Sequence, residues 1–354
     1  MTAAHTAADA PLLELQEVTK IFAGGPFSRD KTVAVDNVTF SISGEVPTVT
    51  AVAGESGSGK TTLSRLLLGV AAPTSGRALY RGQDIPHMSA KQRRSFLLDV
   101  QPIYQDPFGV YNPFYKAEHL LFAAVNKFKL AKNKEEGRRL VEESLRTVGL
   151  RPEEILGRFP HQLSGGQRQR MMVARALILK PRVILADEPV SMVDASLRAT
   201  ILESLRTLNR DLGISILYVT HDLTTAYQIC ENILIMYRGT VVESGSVEQV
   251  IQDPKHPYTQ LLVDSIPKMR ATRDWEEDAL VDEEELGPER VSHGCKFADR
   301  CPAVMAQCWE SPPPLYHTDQ HRAARCFLYE DASELERAAA SATFPPPRSV
   351  EVEP

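Results

Sequence analysis

The chain has 354 residues, 43% hydrophobic and 24% charged, with a formal net charge of −6. That length suffices for about two domains and that apolar share for a sizeable core, which excludes a chain disordered throughout. With no basic excess, nucleic acid is not expected as a partner, and no apolar run approaches the roughly 20 residues that cross a bilayer.

Residues 1–11 are rich in Ala and Thr and read as disordered. They lack the charged start and apolar stretch of a secretory signal, so a cytoplasmic protein is expected. LLELQEVTKIF and VAVDNVTFSIS alternate apolar and polar residues, the pattern of half-buried strands, with the loop AGGPFSRDK between them. TVTAVAG reads as a buried strand running into GESGSGKT at 54–61, and TTLSRLLLGV as a helix stopped near Pro73. Strand, Gly-rich loop and helix in that order are the context of a phosphate loop. Gly54, Gly57 and Gly59 let backbone N–H groups curl around phosphates, with Glu55, Ser56 and Ser58 completing the loop. Lys60 can reach the β- and γ-phosphates of ATP, Thr61 can ligate Mg²⁺, and Thr62 begins the helix.

Residues 92–162 read as mostly helical; Leu140, Val141, Leu145 and Val148 share one helical face and Gly149 sits at its end. Gln105, in YQDP, reads by itself as a surface residue. At 163–170 comes LSGGQRQR, in which Ser164, Gly165, Gly166 and Gln167 form a second helix start able to approach a phosphate closely. One ATP site needs only one such start, so the second calls for an explanation.

VILAD (183–187) and ISILYVTHD (214–222) are apolar strands separated by a helix from about Ala195 to Leu212, the pattern of a parallel sheet with helical crossovers. Asp187 and Glu188 close the first strand, where an acid is costly unless it faces a cation or a polar site. Asp187 suits a Mg²⁺ shell and Glu188 a general base for water. His221 could contact the γ-phosphate, although a lone His is more often structural. Cys230, in a segment read as helix then strand, is expected as a small buried apolar residue.

After Val250 the character changes. DPKHPYTQ is turn-rich, WEEDALVDEEELGPE reads as a solvated acidic linker, and residues 293–330 are rich in Cys and Pro. The end, ATFPPPRSVEVEP, reads as a loose tail. Cys295, Cys301, Cys308 and Cys326 follow the spacing C-x5-C-x6-C-x17-C. A cytoplasmic setting disfavours disulfides. Zinc favours pairs about two to four residues apart, closer than these, whereas a [4Fe–4S] cluster tolerates varied spacing. Iron–sulfur is therefore placed ahead of zinc, with unligated thiols as a third reading; His293, His317 and His321 read as surface residues.

Taken together, residues 12–250 resemble the nucleotide-binding subunit of ATP-binding cassette (ABC) transporters. The resemblance rests on a Walker A loop (GESGSGKT), a Gln loop around Gln105, the signature LSGGQRQR, a Walker B strand (VILADE), a D-loop around Asp194 and the switch His221. The D-loop reads SMVD where the family usually has SALD, with the Asp kept. The resemblance implies an α/β fold of the P-loop NTPase, ABC type: a RecA-like core with an antiparallel β subdomain and a helical subdomain, here plus a small C-terminal Cys-rich module. It implies Glu188, His221 and Gln105 as catalytic residues, and Thr61, Gln105 and Asp187 around Mg²⁺. An aromatic residue stacks on adenine in the family; Phe22 in VTKIF is the best match, with Phe27 the alternative. Family members pair head to tail, so that Ser164, Gly165, Gly166 and Gln167 would serve an ATP held by another chain. That pairing accounts for the second phosphate grip.

YQDPFGVYNP, HPYTQLLVDSIP and GCKFADRCPAVMAQCWESPPPL resemble the oligopeptide/dipeptide importer subfamily, some members of which look like cluster binders. This implies an ATPase at the cytoplasmic face of the membrane, powering import of peptides. Its expected partners are two transmembrane permease subunits, a second ATPase (identical or a sister chain) and, through the permease, an extracytoplasmic substrate-binding protein. Relatives serving oligosaccharides or nickel are the alternative, and a soluble non-transport ABC ATPase ranks below both. The expected division is a disordered start at 1–11, an ATPase domain at 12–252 with a helical subdomain at about 92–162, a C-terminal module at 253–330, and a flexible tail at 331–354.

Overall fold

The alternating segments near the start form β1 (Leu13–Ala23) and β2 (Lys31–Ile42), which pair antiparallel. The computed structural model describes residues 11–23, 31–106, 109, 111–191, 193, 195–266, 293–335 and 339–345. Residues 1–10, Phe27, Asp194, the acidic segment and residues 346–354 lie outside these. After β3 (Val49–Ala53) and α1 (Lys60–Leu67) come β4 (Ser75–Tyr80) and β5 (Gln83–Asp84). They complete a four-stranded antiparallel sheet of order β2-β1-β4-β5.

A helical region follows: α2 (Ala90–Asp99), then β6 (Val100–Ile103), α3 (His119–Phe128), α4 (Lys134–Thr147), the short α5 (Pro152–Ile155) and α6 (Gly165–Ile178). Val141, Leu145 and Val148 are buried together, as their helical spacing predicts. Alternation with helices continues through β7 (Val183–Asp187), α7 (Ala195–Leu212), β8 (Ser215–Thr220), α8 (Leu223–Ile229), β9 (Asn232–Tyr237), β10 (Thr240–Ser246), α9 (Val247–Gln252) and α10 (Pro257–Asp264). The C-terminal region adds α11 (Gln307–Glu310), β11 (Tyr316–Asp319) and β12 (Arg322–Ala324).

The main sheet has eight strands in the order β11-β12-β10-β9-β3-β8-β7-β6. Its strands β9, β3, β8, β7 and β6 run parallel. All residues of β3, β8 and β9 are buried, as expected of strands covered on both faces. Alternate side chains enter two layers. Ala51, Ala53, Ile184, Ala186, Ile216 and Tyr218 join Leu121, Val141, Leu145 and Leu205 in the helical layer. Val52, Leu185, Leu217, Val219 and Leu234 join Leu63, Leu66 and Leu67 of α1 and the inner face of the antiparallel sheet.

Three findings depart from the sequence expectations. First, β6 falls inside the segment read as helical. Four residues of a short edge strand carry too little periodicity to stand out beside helices. Second, the C-terminal region is not a separate module, because β12 pairs antiparallel with β10 and extends the main sheet. Third, the tail is packed where it is described. Ala340 and Thr343 are fully buried, the hydroxyls of Ser341 and Ser41 lie 2.9 Å apart, and Phe344 meets Phe40 edge-on.

Candidate active site

The register brings the functional segments to one edge of the main sheet. Ala53 pairs with Thr220, and Asp187 with Val219, so the residues that follow β3, β7 and β8 emerge side by side at the carboxyl ends of their strands. That edge is where open α/β sheets bind ligands. It opens into a cavity of about 730 Å³, lined by Ser56, Gly57, Gly59, Lys60, Thr61 and Thr62 of the phosphate loop and by Gln105, Glu188 and His221.

The loop is shaped by its glycines. Gly59, at φ +103°, caps α1 in a left-handed conformation, and a β-carbon there would collide with the Ala34 carbonyl. Lys60 is 5% exposed, and its Nζ donates to the carbonyls of Gly54 and Glu55, both at 2.7 Å. Burial lowers the Lys60 pKa, against the opposing pull of Glu188, Asp187 and Glu55. Gly54, Glu55 and Ser58 do not line the cavity, and the carbonyls of the first two anchor Lys60.

At the end of β7, Thr61 donates from Oγ1 to Asp187 Oδ1 at 3.5 Å. Burial, and then the neighbouring Glu188, raise the Asp187 pKa, so a cation is favoured beside this carboxylate. Glu188 has φ +44°, a left-handed conformation costing a non-glycine residue about 1 kcal/mol, and it turns the side chain into the cavity rather than along the strand. There Gln105 Nε2 donates to Glu188 Oε2 at 2.9 Å, and His221 Nδ1 lies 3.1 Å from Glu188 Oε1. Two side chains from distant segments thus meet at one carboxylate, a group able to accept a proton from water. The thin individual signals of Gln105 and His221 gain their meaning from that convergence.

Phe22 stands on β1 opposite Thr32 of β2, which lines the cavity; the ring is 42% exposed, with Lys20 Nζ 5.1 Å from its centroid. Ser164 caps α6 in a reciprocal box: its Oγ accepts from Gln167 N at 3.2 Å, and Gln167 Oε1 accepts from Ser164 N at 3.0 Å. Among the described residues the cavity takes no lining from Ser164, Gly165, Gly166 or Gln167, and a β-carbon at Gly165 would meet open space. Asp194 and Phe27 lie outside the described residues.

The sequence reading missed part of the wall. Lys31, Thr32, Val33, Ala34 and Asp36 of β2, Arg238 after β9, and Lys296 from the C-terminal region all line the cavity. Residues 31–36 follow the loop already noted, but no local pattern marks Arg238 or Lys296.

The four C-terminal cysteines are free thiols and lie within electrostatic reach of one another. Burial, then the other three sulfurs, push Cys326 up to about 11, and burial raises Cys295 and Cys301. Backbone N–H groups meet every sulfur: Phe297 and Ala298 at Cys295, Ala303 at Cys301, Leu328 at Cys326, and Met305 N at 3.5 Å from Cys308 Sγ. Among the described residues no group of three or more His, Cys, Asp or Glu could hold a metal ion, which supports neither the iron–sulfur nor the zinc reading of these cysteines. Cys230 is buried with its pKa raised by that burial, as expected of a small core residue.

Residues 35–191 match the family described as ABC transporter, and residues 242–308 match the C-terminal region of oligopeptide/dipeptide transporters. The oligopeptide transport ATP-binding protein AppF of Bacillus subtilis is 36% identical over 336 residues, covering 93% of this chain and all of that protein. The dipeptide transport ATP-binding protein DppF of Escherichia coli is 35% identical, over 86% of this chain and 91% of that one. Among solved structures, the dimeric ATP-binding cassette MJ0796 bound to ADP and Pi is 29% identical with a TM-score of 0.58, over 66% of this chain and 98% of that one. Among the described residues no helix is long and apolar enough to cross a membrane. The chain belongs to the ABC transporter family, as an ATP-hydrolysing member of its oligopeptide/dipeptide transporter branch.

Proposed function

We propose that this chain is the ATPase subunit of a membrane importer whose cargo is di- and oligopeptides. Near full-length similarity to peptide-transport ATP-binding proteins, continuing through the C-terminal region, carries the reading. Two permease subunits would be its membrane partners and would hold it at the cytoplasmic face. A substrate-binding protein would deliver the peptide from the other side. An apolar groove bordered by Leu97, Tyr104, Leu120, Ala124 and Phe128 lies between the sheet and the helical layer, beside Gln105, and suits a docked permease helix.

In this reading Phe22 flanks the base, Lys60 and the loop N–H groups hold the phosphates, and Thr61, Asp187 and Gln105 hold Mg²⁺. The cation supplies charge neutralisation at the transferred phosphoryl group. Glu188 takes the proton of the attacking water, while Gln105 and His221 fix its carboxylate. Ser164, Gly165, Gly166 and Gln167 complete the site of a second ATPase chain. Their absence from the lining of this chain's own cavity and the dimeric state of the MJ0796 relative support that pairing. Asp194 is assigned to the same interface. The functional division follows: ATPase residues 12–252, with the helical arm at about 92–162, and an accessory region at 253–330 whose strand β12 joins the sheet.

We propose the four cysteines as [4Fe–4S] ligands on their number and spacing alone, since no three of them are placed to hold a metal ion in this structure. Anaerobic purification should yield about four iron atoms per chain and absorbance near 400 nm; iron-free protein would remove the assignment.

The decisive experiment for the main reading is purification of the membrane complex, with uptake of labelled peptides into vesicles. ATP-dependent uptake lost in Glu188→Gln supports it. A purified complex that hydrolyses ATP but moves no peptide overturns the cargo.

A further inference from the structure

We propose that the turn between Cys295 and Cys301, together with Tyr258, is a clamp on the phosphate loop that sets the affinity for ATP, with Arg300 as its main positioning residue. The inference rests on the ATPase reading above.

Glu55, the second residue of the loop, poses an electrostatic problem. Its carboxylate sits in a segment whose purpose is to receive phosphates, and like charges at close range repel. Lys60 of the loop lies within its electrostatic reach but bonds the Glu55 carbonyl, and does not neutralise the carboxylate by direct contact. Arg300, which is 245 residues away in sequence, does so with both ends of its fork: Nη1 to Oε2 at 3.0 Å and Nη2 to Oε1 at 3.1 Å. A two-point contact of this kind fixes direction as well as charge. The backbone of the same residue is held independently, since Glu55 N donates to the Tyr258 hydroxyl at 2.9 Å.

The clamp has a rigid base. Tyr258 is fully buried, and its ring packs against Tyr237 at 4.5 Å and Phe297 at 5.5 Å between centroids. Phe297 belongs to the turn itself, and the Arg300 guanidinium lies 5.7 Å from its centroid. A second arm reaches the cavity. Lys296 Nζ meets Asp36 Oδ2 at 2.7 Å and the Arg238 carbonyl at 2.8 Å, and all three residues line the nucleotide cavity. Arg238 returns the contact to Asp299 Oδ2 and the Lys296 carbonyl, both at 3.1 Å. The turn therefore touches the site at its loop and at its β2 wall. Lys296 and Arg300 are the direct chain neighbours of Cys295 and Cys301.

The test is MgATP hydrolysis and binding of a fluorescent ATP analogue by the full-length chain, comparing the parent, Arg300→Ala, Arg300→Lys and Arg300→Ala combined with Glu55→Gln. Arg300→Ala should raise KM and Kd roughly threefold to tenfold at little cost in kcat. Arg300→Lys should fall between it and the parent. In the double variant the uncompensated charge is gone, so affinity should return towards that of the parent. Unchanged affinity in Arg300→Ala overturns the clamp. So does a loss that Glu55→Gln fails to relieve and that comes with a lower Tm in the absence of nucleotide. A parent chain that binds no nucleotide overturns the ATPase reading itself, and the clamp with it.

Discussion

Gln169, one turn into α6, donates from its buried Nε2 to the carbonyl of Pro189 at 3.0 Å. α6 begins at Ser164, and Pro189 directly follows Glu188, so one hydrogen bond joins the helix carrying the signature to the backbone that aims the proposed base. The two halves of the phosphate chemistry are mechanically continuous inside one chain. Gln169→Leu fills the same space without the donor. It should lower kcat roughly threefold to tenfold, the scale of one lost buried hydrogen bond, with KM for ATP little changed. An unaltered kcat would mean that the bond does not hold Glu188 in position.

Glu188→Gln keeps the shape of the side chain and its reach to Gln105 and His221 but removes the proton acceptor. Hydrolysis should fall by about 10²–10⁴-fold while nucleotide binding persists. With ATP present, the variant should also accumulate as a dimer in gel filtration, because the step that opens the pair is blocked. Near-normal turnover would remove Glu188 from the role of base.

Thr61 and Asp187 are already in contact through Oγ1 and Oδ1 at 3.5 Å, and burial raises the Asp187 pKa. A divalent cation is the natural counter-charge. Removing it with EDTA should abolish hydrolysis. Thr61→Ala should shift the Mg²⁺ dependence of kcat to higher concentration and leave the stability of the nucleotide-free chain within about 1 kcal/mol of the parent. Equal Mg²⁺ dependence in the two proteins would place the cation elsewhere.

Much of this site is legible in the sequence because its chemistry is local. GESGSGKT needs glycines at fixed offsets, LSGGQ needs a capping side chain before a helix, and VILADE ends a buried run in an acid that apolar surroundings would not tolerate unaided. Glu188 is legible as an acid, but its left-handed backbone is not. The wall formed by Arg238 and Lys296 is not legible either, because it depends on a C-terminal turn folding back over a long sequence separation. The same holds for β12. Three residues of sequence RAA carry no alternation of their own, and it is pairing with β10 on one side and β11 on the other that makes them a strand. HPY in the sequence reads as a turn. In the structure its His caps α10 by accepting from Tyr258 N at 3.0 Å, and its Tyr reaches Glu55.

That histidine gives the last prediction. His256 is 1% exposed, and burial, followed by the charge of Arg325, pushes its pKa down to about 3. Glu243 is fully buried, and burial pushes it up to about 7, against hydrogen bonds from Lys255 N and His256 N at 2.9 Å. In the unfolded chain the two titrate near 6.5 and 4.5. Between these two pH values the folded pair holds one proton, on Glu243, and the unfolded pair also holds one, on His256. Their joint contribution to stability is then flat in pH. Below about 4.5 the unfolded chain binds one proton more than the folded one, and stability falls on acidification by about 1.4 kcal/mol per pH unit until His256 titrates. Glu243→Gln should break the compensation. The lone His256 then imposes that same fall from pH 6.5 downward, so between pH 6.5 and 5 the variant should lose about 2 kcal/mol more than the parent in urea unfolding. Parallel stability curves for the two proteins across that interval would show that the pair does not titrate as a unit.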